Sequence, residues 1–211
     1  MNIKLVDLAL QNKQLKSGLM PVIEEVIDSA DFILGQSLEK FERNFAKYCD
    51  KKYAIGVNSG TDALKIALLA YGIGEGDEVI TVPNSYFSTA MVISQIGARP
   101  VFVDVDPQNY LIDANKLDKA LTTKTKAIVP VHLYGQAAEM DTIINFARKH
   151  NLIVVEDACQ AHGAEYKGKK VPYGETGVFS FYPGKNLGCF GDGGAIVSDN
   201  FKIIEKATYL R

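Results

Sequence analysis

Short runs of apolar residues recur along the chain and alternate with longer amphipathic stretches. Seven of these runs, most of them rich in Val and Ile, predict β-strands at 53–57, 78–82, 100–105, 127–132, 152–156, 177–181 and 194–198. Most are continuously apolar, as expected for strands that are covered on both faces in a mostly parallel sheet. The pattern therefore predicts an α/β fold.

The amphipathic stretches between the runs predict helices. One helix is expected over 61–72, and a second over 141–151 with Asp141 as its N-cap. Ser37 is expected to cap an earlier helix, and a last helix begins near Phe201. Strands and helices that alternate with right-handed crossovers give a three-layer α/β/α sandwich around a seven-stranded sheet. The segment between the last two strands is too short for a crossover helix, so one of these strands runs antiparallel.

Composition narrows the class of protein. The chain is 47% hydrophobic and 23% charged with a net charge of −2, which disfavours a nucleic-acid or membrane-surface partner. The N-terminus lacks the apolar core of a secretory signal, and no apolar stretch reaches 18 residues. Cys49, Cys159 and Cys189 lack metal-ligand spacing, which predicts reduced, buried thiols in a cytoplasmic protein without a metal site.

Polar residues collect at the predicted strand ends, where ligands bind in open α/β sheets. Residues 58–61, Asn-Ser-Gly-Thr, follow the first strand and directly precede a helix. Free backbone N–H groups and the helix dipole would make this segment a phosphate seat, although simple helix capping is the alternative. At two other strand ends, Tyr86 could cover a planar ligand or pack in the core, and we interpret His132 as a core histidine.

Two charged residues stand out in the second half of the chain. Asp157 closes an apolar strand, so its carboxylate needs a cation or hydrogen-bond donors unless it is only a helix cap or a structural ion pair. Lys185 follows a Pro-Gly turn, a position where lysine is ordinarily solvated. Glycines on both sides of it, and the glycine-rich segment 191–199, permit close backbone approach to a ligand.

These segments together resemble the DegT/DnrJ/StrS family of aminotransferases that depend on pyridoxal 5′-phosphate (PLP). The resemblance runs in order through most of the chain: Gly35 with FERNFAKY, NSGTDAL at 58–64, NSYFSTA at 84–90, PVHLYGQ at 130–136, EDACQAHGA at 156–164, SFYPGKNLG at 180–188 and GDGGAIV at 191–197. It implies the large domain of fold-type-I PLP enzymes, with a mostly parallel seven-stranded sheet and one antiparallel strand.

The resemblance also implies residue roles. Lys185 would be the Schiff-base lysine and proton shuttle, and Asp157 would pair with the pyridine nitrogen; these two are the expected catalytic residues. Gln160 would reach the ring hydroxyl and Tyr86 would stack on the ring. The phosphate would be held by Ser59, Gly60, Thr61 and Ser180.

The implied reaction moves an amino group from an amino acid, with glutamate as the expected donor, to a nucleotide-linked keto-deoxysugar. Some family members are dehydratases with histidine at the lysine position, so Lys185 favours transamination. A cytoplasmic homodimer that serves deoxysugar or polysaccharide biosynthesis is expected. We expect 1–50 to form an N-terminal arm with helices and 51–211 to form the PLP-binding large domain. Because family members are longer than this chain, we also expect a C-terminal small domain to be missing.

Two other interpretations stay open at this point. The chain could be a truncated, non-catalytic paralogue that acts in dimerisation or regulation. It could also be a generic nucleotide-binding α/β module, although it lacks a dinucleotide-binding glycine fingerprint and a P-loop.

Overall fold

The computed structural model describes residues 3–211 and contains one large sheet with helices on both faces. The helices are α1 (Leu8–Ser29), α2 (Gln36–Tyr48), α3 (Gly60–Ala70), α4 (Ser88–Gln95), α5 (Leu117–Ala120), α6 (Met140–His150) and α7 (Phe201–Leu210). The strands are β1 (Tyr53–Val57), β2 (Glu78–Thr81), β3 (Arg99–Phe102), β4 (Thr125–Ile128), β5 (Ile153–Asp157), β6 (Glu165–Tyr166), β7 (Lys169–Lys170), β8 (Thr176–Ser180) and β9 (Gly194–Ser198).

Seven strands form the sheet in the order β1-β9-β8-β5-β4-β2-β3. Strand β9 is antiparallel to both of its neighbours, β1 and β8, and the other pairs of this seven-stranded sheet are parallel. The predicted α/β architecture with one antiparallel strand is therefore confirmed. The small hairpin β6–β7 lies outside this sheet, and no strand was predicted for it.

Side chains alternate between the two faces of the central strands and so build three layers. Val178 packs into a cluster with α3 and α7, whereas its neighbour Phe179 packs with α2 on the opposite face. Ile196 and Val197 divide in the same way along β9. Burial on both faces explains why these strands are continuously apolar in sequence.

Two predicted helix caps are wrong, although both helices form. Helix α2 begins after Gly35, so Ser37 lies in its first turn. Helix α6 begins after Glu139, and Asp141 lies in its first turn, where the hydroxyl of Tyr173 and the ammonium of Lys167 hold its carboxylate. These tertiary contacts occupy the side chain that would otherwise have capped the helix.

Strand ends differ from the prediction by a few residues. Strand β4 ends at Ile128, whereas the apolar run continues to His132. The segment beyond β4 stays beside β5 through a single bridge between Val131 and Asp157. Within residues 3–211, no helix combines the length and hydropathy needed to cross a membrane.

Candidate active site

A cavity of about 450 Å³ lies at the carboxyl ends of the parallel strands, next to the N-terminus of α3. Its volume is in the range of small-molecule sites. The structure brings all eight predicted site residues to the walls of this one cavity: Ser59, Gly60, Thr61, Tyr86, Asp157, Gln160, Ser180 and Lys185. They come from segments up to 126 positions apart in the sequence, so the fold, and not sequence proximity, assembles the site.

One wall of the cavity is the first turn of α3. Ser59 caps this helix by accepting a hydrogen bond from the amide of Asp62 at 3.0 Å. Among residues 3–211, the amides of Gly60 and Thr61 have no hydrogen-bond acceptor. Two free N–H groups at a helix N-terminus favour binding of an anion. The serine is therefore a cap, and the two residues after it remain available to a ligand.

Glycine is required at two positions beside this helix turn. A Cβ on Gly60 would lie 2.6 Å from Cβ of Ser180 and 2.9 Å from Sγ of Cys159. A Cβ on Gly194, the first residue of β9, would lie 2.3 Å from the carbonyl carbon of Ser59. The backbones of β9, β8 and the α3 turn thus approach closely, which accounts for part of the glycine-rich segment that precedes β9.

Asp157 lies at the end of β5 and is 7% exposed. Its carboxylate accepts hydrogen bonds from the hydroxyl of Thr89 at 3.0 Å and from the amide of Cys159 at 3.2 Å. The ion pairs in the described part of the chain do not include Asp157. A buried carboxylate with only neutral donors is left undercompensated, so a cation in the cavity would stabilise it.

Lys185 lies in the loop after β8, where its amide donates to the carbonyl of Tyr182 at 2.8 Å. It is the only cationic side chain that lines the cavity within residues 3–211. The charges of Asp157 and Lys185 both affect the pKa of the Cys159 thiol. Burial raises its pKa well above the usual value, the carboxylate of Asp157 adds to this rise, and Lys185 opposes it. Cys159 is therefore a neutral thiol in a site that carries both charges.

Helix α4 and the loop before it supply cavity residues that were not predicted from the sequence. Ser85, Ser88 and Thr89 line the cavity, and the hydroxyl of Thr61 donates to that of Ser88 at 2.8 Å. All three lie in the segment 84–90, in which only Tyr86 was predicted to be a site residue. Tyr86 itself is 72% exposed at the edge of the cavity. Tyr182 and Asp192 complete the polar wall and were also missed.

His132 is confirmed as a core histidine. It is fully buried, its Nδ1 accepts from the amide of Ala138 at 3.1 Å, and its Nε2 lies 2.8 Å from a carboxylate oxygen of Glu156. Because Nδ1 accepts, Nε2 carries the hydrogen and donates it to Glu156. The histidine therefore stabilises β5 through its hydrogen bond to Glu156 and does not line the cavity.

The three cysteines are free thiols, but they differ in their surroundings. Cys49 is buried in the cluster under α2, and burial raises its pKa to about 12. Cys159 packs against the core and also lines the cavity, and both it and Cys189 are only partly buried, so the prediction of a buried thiol holds fully for Cys49 alone. No group of His, Cys, Asp and Glu among the described residues is arranged to hold a metal ion.

Comparison with known proteins agrees with this geometry. The model of the DegT/DnrJ/EryC1/StrS aminotransferase family matches residues 13–211. The chain is 48% identical, over its whole length, to a "pleiotropic regulatory protein" of Geobacillus stearothermophilus, of which it covers 57%. It is 45% identical to dTDP-3-amino-3,4,6-trideoxy-α-D-glucose transaminase of Streptomyces venezuelae, with 99% of this chain and 55% of that protein aligned.

A solved structure shows the same fold. The crystal structure of Streptomyces venezuelae DesV in complex with a ketimine intermediate matches with a TM-score of 0.97 and 45% identity, over 99% of this chain and 57% of that one. The chain thus spans a little over half the length of the relatives it matches. On the evidence of its sequence and fold, it belongs to the DegT/DnrJ/EryC1/StrS family of PLP-dependent aminotransferases.

Proposed function

We propose that this chain forms the cofactor-binding part of a nucleotide-sugar aminotransferase and that PLP binds in the cavity between α3, β5 and the loop after β8. The observation that carries the proposal is the arrangement of three groups in one cavity. These are a buried carboxylate without a cation, an amine, and two helix amides without acceptors: Asp157, Lys185, and Gly60 with Thr61.

The residues present fit the chemical groups of PLP one by one. The phosphate would lie against the amides of Gly60 and Thr61, with the hydroxyl of Ser180 beside them. The pyridine nitrogen would lie against Asp157, where an N–H⁺ group supplies the cation that this buried carboxylate lacks. Gln160 would reach the ring hydroxyl and Tyr86 would cover the ring.

PLP, when bound, supplies an electron sink that allows an amino group to be exchanged for a carbonyl oxygen. The protein has three tasks around it. Asp157 keeps the ring nitrogen protonated, because its negative charge favours the protonated form. Lys185 would hold the cofactor through Nζ, and its amine would carry a proton to and from the reacting carbon. The close packing of Gly194 on Ser59 keeps the phosphate seat rigid.

The substrates are proposed by similarity. The Streptomyces venezuelae relative is named for a dTDP-linked aminosugar, and a Pseudomonas aeruginosa relative with 43% identity is named for a UDP-linked 3-oxo sugar. We therefore propose a nucleotide-linked keto-sugar as acceptor and an amino acid, with glutamate first, as donor. Among the described residues that line the cavity, only Lys185 carries a positive charge, whereas these ligands carry several negative charges. We propose that a second copy in a homodimer supplies the rest.

The domain assignment remains part of the proposal. Residues 51–211 would bind PLP, and residues 1–50 would form an N-terminal arm. The absence of buried residues along α1 supports an arm over that helix. Helix α2 instead packs on the large domain, because its Phe45 lies in the same buried cluster as Phe179.

A second candidate is a regulatory role, which the name of the Geobacillus stearothermophilus relative favours. One assay separates the two. The product of the complete gene is incubated with PLP, glutamate and dTDP- or UDP-linked keto-sugars, and product masses are measured. An aminotransferase gives an aminosugar product that disappears in Lys185→Ala. Stable PLP binding without an aminosugar from any keto-sugar would favour the regulatory role instead.

A further inference from the structure

Two hydroxyl groups, the buried one of Thr89 and the partly buried one of Ser85, form a chain that leads to the carboxylate of Asp157. The hydroxyl of Thr89 is 3.0 Å from Oδ2 of Asp157, and the hydroxyl of Ser85 is 2.8 Å from that of Thr89. Thr89 is 2% exposed and lies in the first turn of α4. The three polar groups all line or adjoin the same cavity.

The direction of these hydrogen bonds follows from the charge of Asp157. An ionised carboxylate can only accept, so Thr89 must donate its single hydroxyl hydrogen to Oδ2. The oxygen of Thr89 then accepts from Ser85, which fixes the torsion of the Thr89 hydroxyl. The amide of Cys159 holds the other oxygen, Oδ1, at 3.2 Å. Two donors from two different elements thus fix the plane of the carboxylate.

A purely structural role for Thr89 would not need a hydroxyl. Valine has the same shape, and a buried β-branched residue in α4 would pack equally well. The hydroxyl has no described acceptor other than Asp157, so its contribution passes through that carboxylate. Its effect on a ligand must therefore act on whatever group of the ligand faces Asp157.

The same turn of α4 also reaches the opposite end of the cavity. The hydroxyl of Ser88 accepts a hydrogen bond from that of Thr61. The next residue in the helix, Thr89, donates to Asp157. Helix α4 therefore sets the spacing between the helix amides of α3 and the carboxylate of β5. A flat ligand that bridges the two ends needs this spacing to be constant.

We infer that Thr89 is a positioning residue that holds Oδ2 of Asp157 in one place, so that the ring nitrogen of PLP would meet a carboxylate that is already oriented. This inference rests on the proposed function. It assigns to Thr89 an effect on one atom of the ligand, the ring nitrogen, and no direct contact with PLP.

The test compares two ligands and three variants. Dissociation constants are measured for PLP and for its 1-deaza analogue, in which a C–H group replaces the ring nitrogen. Thr89→Val keeps the shape and removes the hydroxyl, and Thr89→Ser keeps the hydroxyl. Ser94→Ala is the matched control, because it removes a hydroxyl from the exposed side of the same helix.

We expect Thr89→Val to weaken PLP binding by roughly tenfold, because the carboxylate of Asp157 is no longer held in advance and must be ordered when the ligand binds. The analogue should bind with the same affinity to Thr89→Val as to the unmodified protein, because no ring nitrogen faces Asp157. Thr89→Ser and Ser94→Ala should bind PLP as the unmodified protein does.

Three results would overturn the inference. They are unchanged PLP affinity in Thr89→Val, equal losses for PLP and the analogue, and a loss in Thr89→Ser as large as in Thr89→Val. If Thr89→Val does not fold, Thr89→Ala, which also removes the hydroxyl, takes its place in the same three comparisons. Failure of the unmodified protein to bind PLP at all would instead contradict the proposed function itself, so the two failures are distinguishable.

Discussion

Replacing Glu156 with glutamine removes one buried charge and changes almost nothing in shape. Glu156 is fully buried, and its two carboxylate oxygens accept three hydrogen bonds. One oxygen accepts from Nε2 of His132 and from the amide of Tyr173, both at 2.8 Å. The other accepts from the amide of Gly174. Every group around this side chain is therefore a donor, and the site needs an acceptor on both sides.

A glutamine amide cannot satisfy this arrangement in either orientation. Its NH₂ group must face the amide of Gly174, or else the pair formed by His132 and Tyr173. His132 cannot adapt by moving its hydrogen to Nδ1, because that atom already accepts from the amide of Ala138. The substitution loses one or two charge-assisted hydrogen bonds and leaves a buried donor unpaired. We expect a loss of about 2–4 kcal/mol in the free energy of unfolding.

Urea unfolding followed by far-UV circular dichroism measures this loss directly. For a chain of this size, the loss corresponds to a fall of roughly 4–16 °C in Tm. Glu165→Gln is the matched control, because Glu165 is exposed and its carboxylate has no hydrogen-bond or ion-pair partner among residues 3–211, so it should stay within about 0.5 kcal/mol of the unmodified protein. Equal stability of Glu156→Gln and Glu165→Gln would refute the argument that three donors converge on a buried carboxylate.

Two further predictions concern the α3 turn and His162. Gly60→Ala should destabilise the protein by about 1–3 kcal/mol and weaken PLP binding, since its Cβ would lie 2.6 Å from that of Ser180. Gly18→Ala in α1 is the control: a Cβ at this position has no atom within 4 Å, so the substitution should stabilise the protein by about 0.5–1 kcal/mol. If urea unfolding showed the same change in stability for Gly60→Ala and Gly18→Ala, the steric explanation would be wrong. Burial lowers the pKa of His162 from 6.5 to about 4, so the folded state binds fewer protons than the unfolded state between these values, and stability should fall as pH drops from 6.5 toward 4. His162→Leu should show a smaller fall when urea midpoints are compared at pH 7 and pH 5, and an unchanged pH dependence would contradict this assignment.

Much of the fold could be predicted from sequence because burial on both faces leaves a strong signal. All seven strands of the large sheet occur within a few residues of the predicted positions, and the antiparallel strand followed from the length of one connection. Helix caps were less predictable. Asp141 has the chemistry of a cap, but Tyr173 and Lys167, distant in sequence, bind its carboxylate. Local patterns carry no information about such tertiary partners.

The hairpin β6–β7 shows another limit of the sequence pattern. Its strands contain two residues each, too few for a period of two to be visible. The turn between them is Lys167-Gly168, and both residues have positive φ, as in a type I′ turn. A lysine in the first position of such a turn is not a strong signal, so only the structure reveals the hairpin.

The candidate site divides in a similar way. Residues that resemble a known motif were found in advance, and all eight line one cavity. Thr89 and Ser88 were missed because a buried serine or threonine in a helix has no distinctive sequence pattern. Their importance depends on the distances to Asp157 and Thr61, which only the fold determines.

We propose that Lys185 and Asp157 face one PLP molecule in this cavity. The most direct measurement is to incubate the protein with PLP, reduce it with borohydride and locate the added mass by peptide mass spectrometry. If Lys185 binds PLP through Nζ, we expect a single reduced pyridoxyl phosphate group on the peptide that contains Lys185. This group should be absent in Lys185→Ala. Modification spread over several surface lysines, or undiminished in Lys185→Ala, would contradict the account.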